Sequence, residues 1–455
     1  MSEVKLIGKT VETTDNEHII EETLTFSGKA AGICYMPDDY FEEGIQNIDK
    51  ANARANNNIH SGHSSVFEHE HINLIIHTSK MMAMTLNSLN LYATSEKSGR
   101  YTVMKPETEL EENLYTKWTE IFKKLISSYY TGDLAYTEKE TEKLARENAR
   151  YMLSVFVPTV FEYTVPFNRA VLTCIWLHDL ADKINNPEFQ KRYPHLFFYN
   201  RMAKEAVELA DDIAETLKLG EYDNTLHRYS NFPLMDNKKI GITFFDDFNK
   251  YNKHFCYHDN LSEHSEYYGW VYNTHYVASL ATIACAERHR TLHFKIQSIF
   301  NENCDDKIRS ALVEKCNGEF DCYVPKIIRS TPFELEWKAD FKSLIEKEVL
   351  PLATLFYVEE NGRIEDFIAK CKERCCARAQ LEINDITNDT ILRYYNESES
   401  NTDFRVSRMI SSMIEFNPGK DMTNISVRPR CKFPDFTCSE GCKYSKLLEN
   451  GCRII

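Results

Sequence analysis

Hydrophobic and polar residues along the chain follow two periods, one typical of strands and one typical of helices. The segment 71–77 (HINLIIH) partly alternates and is rich in β-branched residues, which predicts a strand. The segment 80–94 is apolar at helical spacing, which predicts a helix. The same order recurs at 270–279 and 280–295. A strand followed by a helix is therefore repeated at an offset of about 200 residues.

Amphipathic spacing predicts longer helices on both sides of a boundary region. These helices are predicted at 112–130, 138–156, 170–183, from 341 onward and at 363–384. The segment 218–250 loses the helical period and gains glycine, asparagine and aspartate, so it is the best candidate for a domain boundary. The pattern predicts a chain of mixed α and β structure with more than one domain.

Composition narrows the class of protein. The 455 residues exceed one ordinary domain, and a hydrophobic content of 42% is ample for a buried core, so we expect a globular chain. The formal net charge of −15 argues against a nucleic-acid binder, because phosphate contacts require a surplus of lysine and arginine. A small anionic substrate remains compatible with this charge, since a few arginines in a cleft can bind a phosphate.

Cysteine usage bears on the cellular compartment and on metal binding. The first 18 residues contain no apolar run typical of a signal peptide, and no segment approaches transmembrane length, so we expect a cytoplasmic protein without membrane contact. Its 14 cysteines are then reduced thiols or metal ligands. The tail carries Cys431, Cys438, Cys442 and Cys452. Four cysteines so close together are compatible with a zinc or iron–sulfur site. Their spacing is wider than that of common zinc knuckles, so free thiols remain the alternative.

Two segments beside the first predicted strand carry polar residues with possible chemistry. The histidines of 62–69 (GHSSVFEH) are compatible with turn and capping roles, and the sequence contains no HExxH motif of a zinc protease. The segment 96–101 (EKSGRY) combines a glycine that lets a ligand approach the backbone with a hydroxyl and a guanidinium. Such a loop can hold a phosphate.

Two cationic groups lie in the second half of the chain. The triplet 288–290 (RHR) is either a solvated helix face or a site for a pyrophosphate or an electron-rich ring. On the last predicted helix, four residues at helical spacing share one face, namely Cys371, Arg374, Cys375 and Arg378. If that face is buried, its two arginines require an anionic partner.

Together these motifs resemble the flavin-dependent thymidylate synthases. That family has a G-H-x-x-x-x-E-H segment, an R-H-R motif, an E-x-S-x-R-Y run and a later L-P…N-x-R…L-R-x-x-x-x-A-Q-x-E-I segment. In the first half, the G-H-x-x-x-x-E-H segment is matched by Gly62, His63, Glu68 and His69. The E-x-S-x-R-Y run is matched by Glu96, Ser98, Gly99, Arg100 and Tyr101. Arg150 matches an earlier family arginine. The R-H-R position of this half instead holds the sequence SLN at 88–90.

The second half of the chain retains the complementary motifs. It matches the family at Arg288, His289, Arg290, Leu350, Pro351, Arg374 and the run 379–383 (AQLEI), with Asn361 near the N-x-R position and His264 before the strand. The S-x-R-Y ending is lost at 298–300. In this family two subunits lend different motifs to each active site. The resemblance therefore implies two diverged tandem copies that assemble one kind of active site.

The resemblance implies an α+β fold with two tandem thymidylate synthase-like domains, each a small sheet with long helices. The domains are expected at 1–225 and 226–425, followed by a short cysteine-rich tail at 426–455. Because the family forms homotetramers, the resemblance implies a homodimer of these chains, equivalent to a pseudo-tetramer of repeats.

The implied reaction converts dUMP to dTMP, with methylenetetrahydrofolate as carbon donor, reduced FAD as hydride donor and NADPH as reductant of the flavin. By the resemblance, Arg374 is the catalytic residue that pairs with the pyrimidine. The implied substrate-binding residues are Glu96, Ser98, Gly99, Arg100 and Arg150. The implied flavin- or folate-binding residues are Arg288, His289, Arg290, His63, Ser65, Glu68, His264 and Asn361. The family needs no cysteine nucleophile, so Cys371, Cys375 and Cys376 are expected to be packing residues.

Two other functions remain open from the sequence. One is a related flavin-dependent methylase or hydroxymethylase that acts on another pyrimidine nucleotide. The other is a non-catalytic nucleotide-binding relic of a duplication. A relic is expected to lose motifs at random, whereas the losses in this chain are complementary.

Overall fold

The computed structural model describes the chain over most of its length. The described residues are 19–32, 47–61, 65–87, 89, 93–99, 102–188, 197–219, 255–256, 271–289, 291–298, 321–376, 378–399, 410–416, 425–434 and 453–455. The helices in these ranges are α1 (Ile19–Gly32), α2 (Ile48–Ser61), α3 (Lys80–Asn87), α4 (Glu109–Tyr129), α5 (Glu138–Ala149), α6 (Phe167–Asn185), α7 (Tyr199–Thr216), α8 (Leu280–Ala286), α9 (Pro332–Ile345), α10 (Ile364–Arg374) and α11 (Leu381–Glu399). Among them no helix has both the length and the apolar character needed to cross a membrane.

The strands form small antiparallel sheets. They are β1 (His71–Ser79), β2 (Ala93–Glu96), β3 (Pro158–Pro166), β4 (Phe255–Cys256), β5 (Val271–Ser279), β6 (His293–Ser298), β7 (Leu355–Arg363), β8 (Ile414–Phe416) and β9 (Ile425–Val427). One sheet has the order β1-β3-β2, a second has the order β4-β5-β7-β6, and β8 pairs with β9. Long helices with small sheets make this an α+β structure, as predicted.

The two larger sheets share a pattern of connections. In each, the first strand leads directly into a short helix, α3 after β1 and α8 after β5. In each, the strand latest in sequence lies in the middle, so that β1-β3-β2 corresponds to β5-β7-β6. In the second sheet, β5 and β6 both pair antiparallel with β7. The predicted strand-then-helix units are thus present in both halves of the chain.

The helices predicted directly after the two strands were wrong at their ends. The segment 80–94 contains α3 only to Asn87, and β2 begins at Ala93. The segment 280–295 contains α8 only to Ala286, and β6 begins at His293. The cause is pairing with a strand far along the chain, because β2 bonds to β3 and β6 bonds to β7. Local periodicity carries no signal for such a partner.

Two longer predicted helices were correct over most of their length and wrong in the remainder. The segment 138–156 is helical only to Ala149, after which a short 3-10 helix leads to a bridge between Ser154 and Pro351. The segment 363–384 is the end of β7 followed by α10 and α11, with a break between Arg374 and Leu381. Arg378 therefore does not continue the helix that carries Cys371 and Arg374. Cys371 and Cys375 are buried, as expected of packing residues, and Cys376 is half-buried.

Side-chain caps fix where several of these helices begin. Thr108 caps α4 by accepting from the backbone N–H of Glu111, whose carboxylate accepts from the backbone N–H of Thr108. The same capping box forms between Thr137 and Glu140 at the start of α5. This reciprocal arrangement satisfies backbone N–H groups that a helix start otherwise leaves unpaired. The local sequence therefore determines where α4 and α5 begin.

The chain divides into two compact units that each combine several segments. The first unit comprises Met1–Thr78, Leu91–Glu96 and Thr159–Ile240, and the second comprises Ser79–Asn90, Lys97–Pro158 and Gly241–Ile455. In the first unit, α1 packs against α2 and α6 against α7. Helices α1 and α2 approach closely at Gly28, where an added Cβ would lie 1.9 Å from the carbonyl oxygen of Ala51.

In the second unit, α4 packs against α9 through two buried tryptophans. The rings of Trp118 and Trp337 meet edge to face with centroids 4.7 Å apart. Trp118 Nε1 donates to Asp340 Oδ2 at 2.9 Å, so its polar atom is satisfied within the core. Aromatic pairs of this geometry contribute beyond the area that they bury.

A buried carboxylate links distant parts of the second unit. Glu382, near the start of α11, accepts from the hydroxyl of Tyr151 at 2.7 Å and from the hydroxyl of Thr282 at 2.8 Å. It also accepts from Ser279, through the backbone N–H at 2.7 Å and the hydroxyl at 2.6 Å. Burial raises the pKa of Glu382 while these hydrogen bonds oppose the rise. The carboxylate thus joins Tyr151 to the residues that begin α8.

We expect Glu382→Gln to destabilise the second unit. The amide keeps the size of the side chain but replaces one acceptor oxygen with a donor, which leaves a buried hydroxyl or N–H without its partner. Such a change costs about 1–3 kcal/mol. Urea unfolding of the full chain measures it, with the exposed Glu346→Gln on the same unit as control. Equal stability of the two variants would contradict the role given to Glu382.

Candidate active site

A cleft in the second unit collects residues from both halves of the sequence. Its volume is about 530 Å³ when the part open to solvent is included. The lining residues are Lys80, Lys97, Ser98, Gly99, Met104, Arg150, Ala281, Ala284, Cys285, Arg288 and Leu352. Ser98, Gly99 and Arg150 were predicted to bind a phosphate, and Arg288 was predicted to bind a flavin. The structure brings these four residues to one cleft.

Helix α8 supplies one wall of the cleft. Ser279 caps its start by accepting from the backbone N–H of Thr282. Ala281, Ala284 and Cys285 then face the cleft at helical spacing, and Arg288 follows just beyond the end of the helix. The wall is therefore built of small side chains with one exposed guanidinium at its end.

The loop before α4 supplies the opposite part of the lining. The hydroxyl of Thr102 donates to the carbonyl of Ser98 at 2.8 Å, and the backbone N–H of Thr102 donates to the same oxygen at 3.0 Å. An added Cβ on Gly99 would lie 3.1 Å from both Arg150 Nη1 and Met104 Sδ. Glycine at this position lets the loop approach the guanidinium closely.

Arg150 is held on one edge and lacks a partner on another. Its Nη2 donates to Gln380 Oε1 at 3.1 Å, and Gln380 in turn donates to the hydroxyl of Tyr151. Its Nε is buried and, within the described ranges, has no hydrogen-bond partner. A buried unsatisfied cationic donor is costly, so an anionic ligand at this position would be stabilising.

Arg374, the predicted catalytic residue, lies directly behind the α8 wall. Its Nη2 donates to the backbone carbonyl of Cys285 at 3.3 Å, and Asn384 donates to the carbonyl of Arg374 at 2.7 Å. The side chain is only 15% exposed. Its Nε is buried without a partner in the part of the chain that the structure describes. Arg374 contacts the backbone of a lining residue but is not itself among the lining residues.

His289 occupies a cationic environment beside the cleft. Burial, followed by the charges of Arg374, Lys370 and Arg288, lowers the pKa of His289 to about 2. Its Nε2 is buried and has no hydrogen-bond partner among the described residues. The imidazole is therefore neutral at physiological pH and can offer one donor and one acceptor without adding charge.

Other predicted site residues belong to the first unit or fall outside the described part. Glu68 and Glu96 belong to the first unit, where Glu68 pairs with Arg169 and Glu96 accepts from the hydroxyl of Thr159 at 3.3 Å. The residues outside the described ranges are His63, Arg100, His264 and Arg290. The backbones of Ser65 and Asn361 lie in a 3-10 helix and in β7, while their side chains are not described.

The cysteine-rich tail remains a prediction. Cys431 is exposed, and Cys438, Cys442 and Cys452 lie outside the described residues. Among the residues that the structure does describe, no group of three or more His, Cys, Asp or Glu side chains is arranged to hold a metal ion.

The structure adds two lysines that sequence reasoning did not assign to the site. Lys97 lies inside the EKSGRY run, next to the predicted phosphate ligand Ser98. Lys80 is the first residue of α3, a position where the helix dipole disfavours a positive charge. That unfavourable placement is the signal that could have indicated an anion site.

We expect His289 to remain neutral across the physiological range. A histidine whose pKa is about 2 binds no proton between pH 5 and pH 8, whereas an ordinary histidine titrates there. Ring-labelled histidine NMR of the full chain measures this, and the signal lost in His289→Asn identifies the residue. A chemical shift that titrates near pH 6.5 would contradict the expectation.

Comparison with known families agrees with the resemblance for the first part of the chain. Residues 17–171 match the family model described as thymidylate synthase complementing protein. The match includes Ser98, Gly99 and Arg150 and ends before Arg288 and Arg374. A search of curated proteins finds no match. Residues 17–171, about a third of the chain, are therefore similar to this family, the flavin-dependent thymidylate synthases.

Proposed function

We propose that the chain catalyses the reductive methylation of dUMP to dTMP, with methylenetetrahydrofolate as carbon donor, reduced FAD as hydride donor and NADPH as reductant of the flavin. The observation that carries the proposal is the cleft shared by Ser98, Gly99, Arg150 and Arg288. The family match over residues 17–171 supports a thymidylate synthase-like enzyme.

The nucleotide phosphate binds at the loop beside Arg150. Ser98 offers a hydroxyl, Gly99 allows close approach to the backbone, and Arg150 offers a guanidinium already oriented by Gln380. Hydrogen bonds from charged donors to phosphate are the strong ones in proteins. Arg100, the next residue of the loop, and Glu96 complete the proposed substrate-binding set.

Arg374 stabilises the pyrimidine as its electron density rises. Hydride attack on the ring places negative charge on a carbonyl oxygen, and a preorganised guanidinium near that oxygen lowers the barrier. The bond from Arg374 Nη2 to the Cys285 carbonyl holds the side chain, and the bond from Asn384 to the Arg374 carbonyl holds its backbone. Its buried Nε has no partner in the described ranges.

The residues near the end of α8 fit an electron-rich cofactor with anionic groups. Arg288 offers an exposed guanidinium, and the buried Nε2 of neutral His289 lacks a partner among the described residues. These two residues and Arg290 would hold FAD, which supplies the hydride when it is bound. His63, Ser65, Glu68, His264 and Asn361 are proposed to complete the flavin and folate region.

The site is proposed to arise from a duplicated chain, with repeats at 1–225 and 226–425. The matching order of β1-β3-β2 and β5-β7-β6 supports the duplication. So does the 200-residue offset between His71–Ser79 and Val271–Ser279. Each repeat keeps the motifs that the other has lost, and two such chains would form a homodimer equivalent to a pseudo-tetramer.

Rescue of a thymidine auxotroph by the full chain tests the activity. We expect growth without thymidine, and we expect the purified protein to be yellow from bound flavin. A colourless protein that takes up no FAD would favour a non-catalytic relic. If the flavin-bound protein instead methylates or hydroxymethylates a different pyrimidine nucleotide, that nucleotide is the substrate and dUMP is not.

We expect Arg374→Ala to lower kcat by at least about 100-fold, because one preorganised donor to the transition state is lost. Flavin content should be unchanged. Arg378→Ala serves as the matched control, since Arg378 is exposed and lies beyond the end of α10. Near-normal turnover of Arg374→Ala would remove it from the catalytic role.

We expect Arg150→Ala to raise the KM for dUMP about tenfold or more, because a charged hydrogen bond to the phosphate is lost. Flavin affinity should change far less. The control is Arg146→Ala on the preceding helix α5, where Arg146 pairs with Glu142. Equal losses of dUMP and flavin binding would contradict the division of roles proposed for the cleft.

A further inference from the structure

We propose that Lys80 and Lys97 are substrate-specificity residues that recognise the phosphate of the nucleotide. The inference rests on the proposed function and adds two residues to it. Both lysines line the cleft together with Ser98, Gly99 and Arg150. They would allow the enzyme to bind a nucleoside monophosphate in preference to the nucleoside.

The backbone fixes Lys80 at the cleft. It is the first residue of α3, and its N–H donates to the carbonyl of Val157 at 2.9 Å. The side chain is half-buried and lines the cleft. The positive end of a helix dipole disfavours a cation but favours an anion, so a bound phosphate offsets the unfavourable placement.

The second half of the chain shows that this helix start does not require a lysine. Leu280 begins α8 as Lys80 begins α3, 200 residues earlier. Its N–H donates to the carbonyl of Thr354 at 3.1 Å, which repeats the bond of Lys80 to Val157. Leu280 is fully buried. The lysine is therefore a feature of the cleft rather than of the fold.

The two halves of the chain also differ at the position of Lys97. It is exposed and directly precedes Ser98 in the cleft loop. The residue 200 positions later is Gln297, in the half that has lost the phosphate-binding sequence. A positive charge at 97 thus accompanies the retained phosphate loop.

The charges around the cleft differ from those of the whole chain. The chain carries 54 lysines and arginines against 69 aspartates and glutamates. The cleft lining includes Lys80, Lys97, Arg150 and Arg288, and none of the lining residues that the structure describes is acidic. A local cluster of one sign raises the concentration of a small ion of opposite charge. A dianionic phosphate is the substrate group that matches it.

The test measures the affinity of the FAD-loaded full chain for dUMP and for deoxyuridine, which lacks the phosphate. Calorimetry or competition binding gives both affinities. The variants Lys80→Leu and Lys97→Gln copy the residues of the second half. We expect dUMP affinity to fall about tenfold for Lys80→Leu and about threefold for the exposed Lys97→Gln. Deoxyuridine affinity should be unchanged, and Lys80→Arg should restore dUMP binding. Lys139→Gln, at an exposed position on α5, is the charge-matched control.

The outcomes separate this inference from the proposed function. A wild-type chain that forms dTMP, with lysine variants that keep its preference for dUMP over deoxyuridine, overturns only the role of the lysines. If Lys80→Leu weakens the binding of dUMP and of deoxyuridine equally, the role of the lysines is also overturned, because a general structural defect would affect both ligands alike. A wild-type chain that forms no dTMP and binds no dUMP overturns the proposed function and, with it, this inference.

Discussion

The cleft depends on one buried carboxylate, that of Glu382. It receives hydrogen bonds from Tyr151, Ser279 and Thr282, so it ties the segment after α5 to the start of α8. Gln380, two residues earlier, bonds to both Tyr151 and Arg150. The same short run that fixes the helix wall therefore also orients the guanidinium. An unpaired buried carboxylate would be strongly destabilising, which makes the arrangement close to all-or-none.

Three nitrogen-bearing side chains of the site are only partly satisfied. Arg150, Arg374 and His289 each have a buried side-chain nitrogen without a partner among the described residues. Proteins rarely leave such groups unpaired unless a ligand or water completes them. His289 is neutral because burial, and then the charges of Arg374, Lys370 and Arg288, lower its pKa. In the function that we propose, anionic ligands would complete these groups, whose unpaired state otherwise lowers stability.

Sequence patterns predicted the parts of the fold that local periodicity encodes. Strands β1 and β5, with the helices after them, were recoverable because each alternates or repeats within its own segment. Strands β2 and β6 were not, since they exist through pairing with β3 and β7 far along the chain. For the site, the family resemblance predicted Ser98, Gly99, Arg150 and Arg288, and these residues line one cleft. That Lys80 lines the same cleft follows only from tertiary packing.

The helices α3 and α8 differ in charge at corresponding positions, and two of these positions bear on the cleft. At their first residue α3 has Lys80 and α8 has Leu280, while eight positions later the sequence has Ser88 in the first half and Arg288 in the second. Lys80 and Arg288 line one cleft, whereas Leu280 is buried. In the duplication that we propose, a cleft with the roles of the halves exchanged would have leucine and serine at the positions of both cations. Loss of charge in one half would then be harmless as long as the other half retains it, and complementary losses would be tolerated where random losses would not.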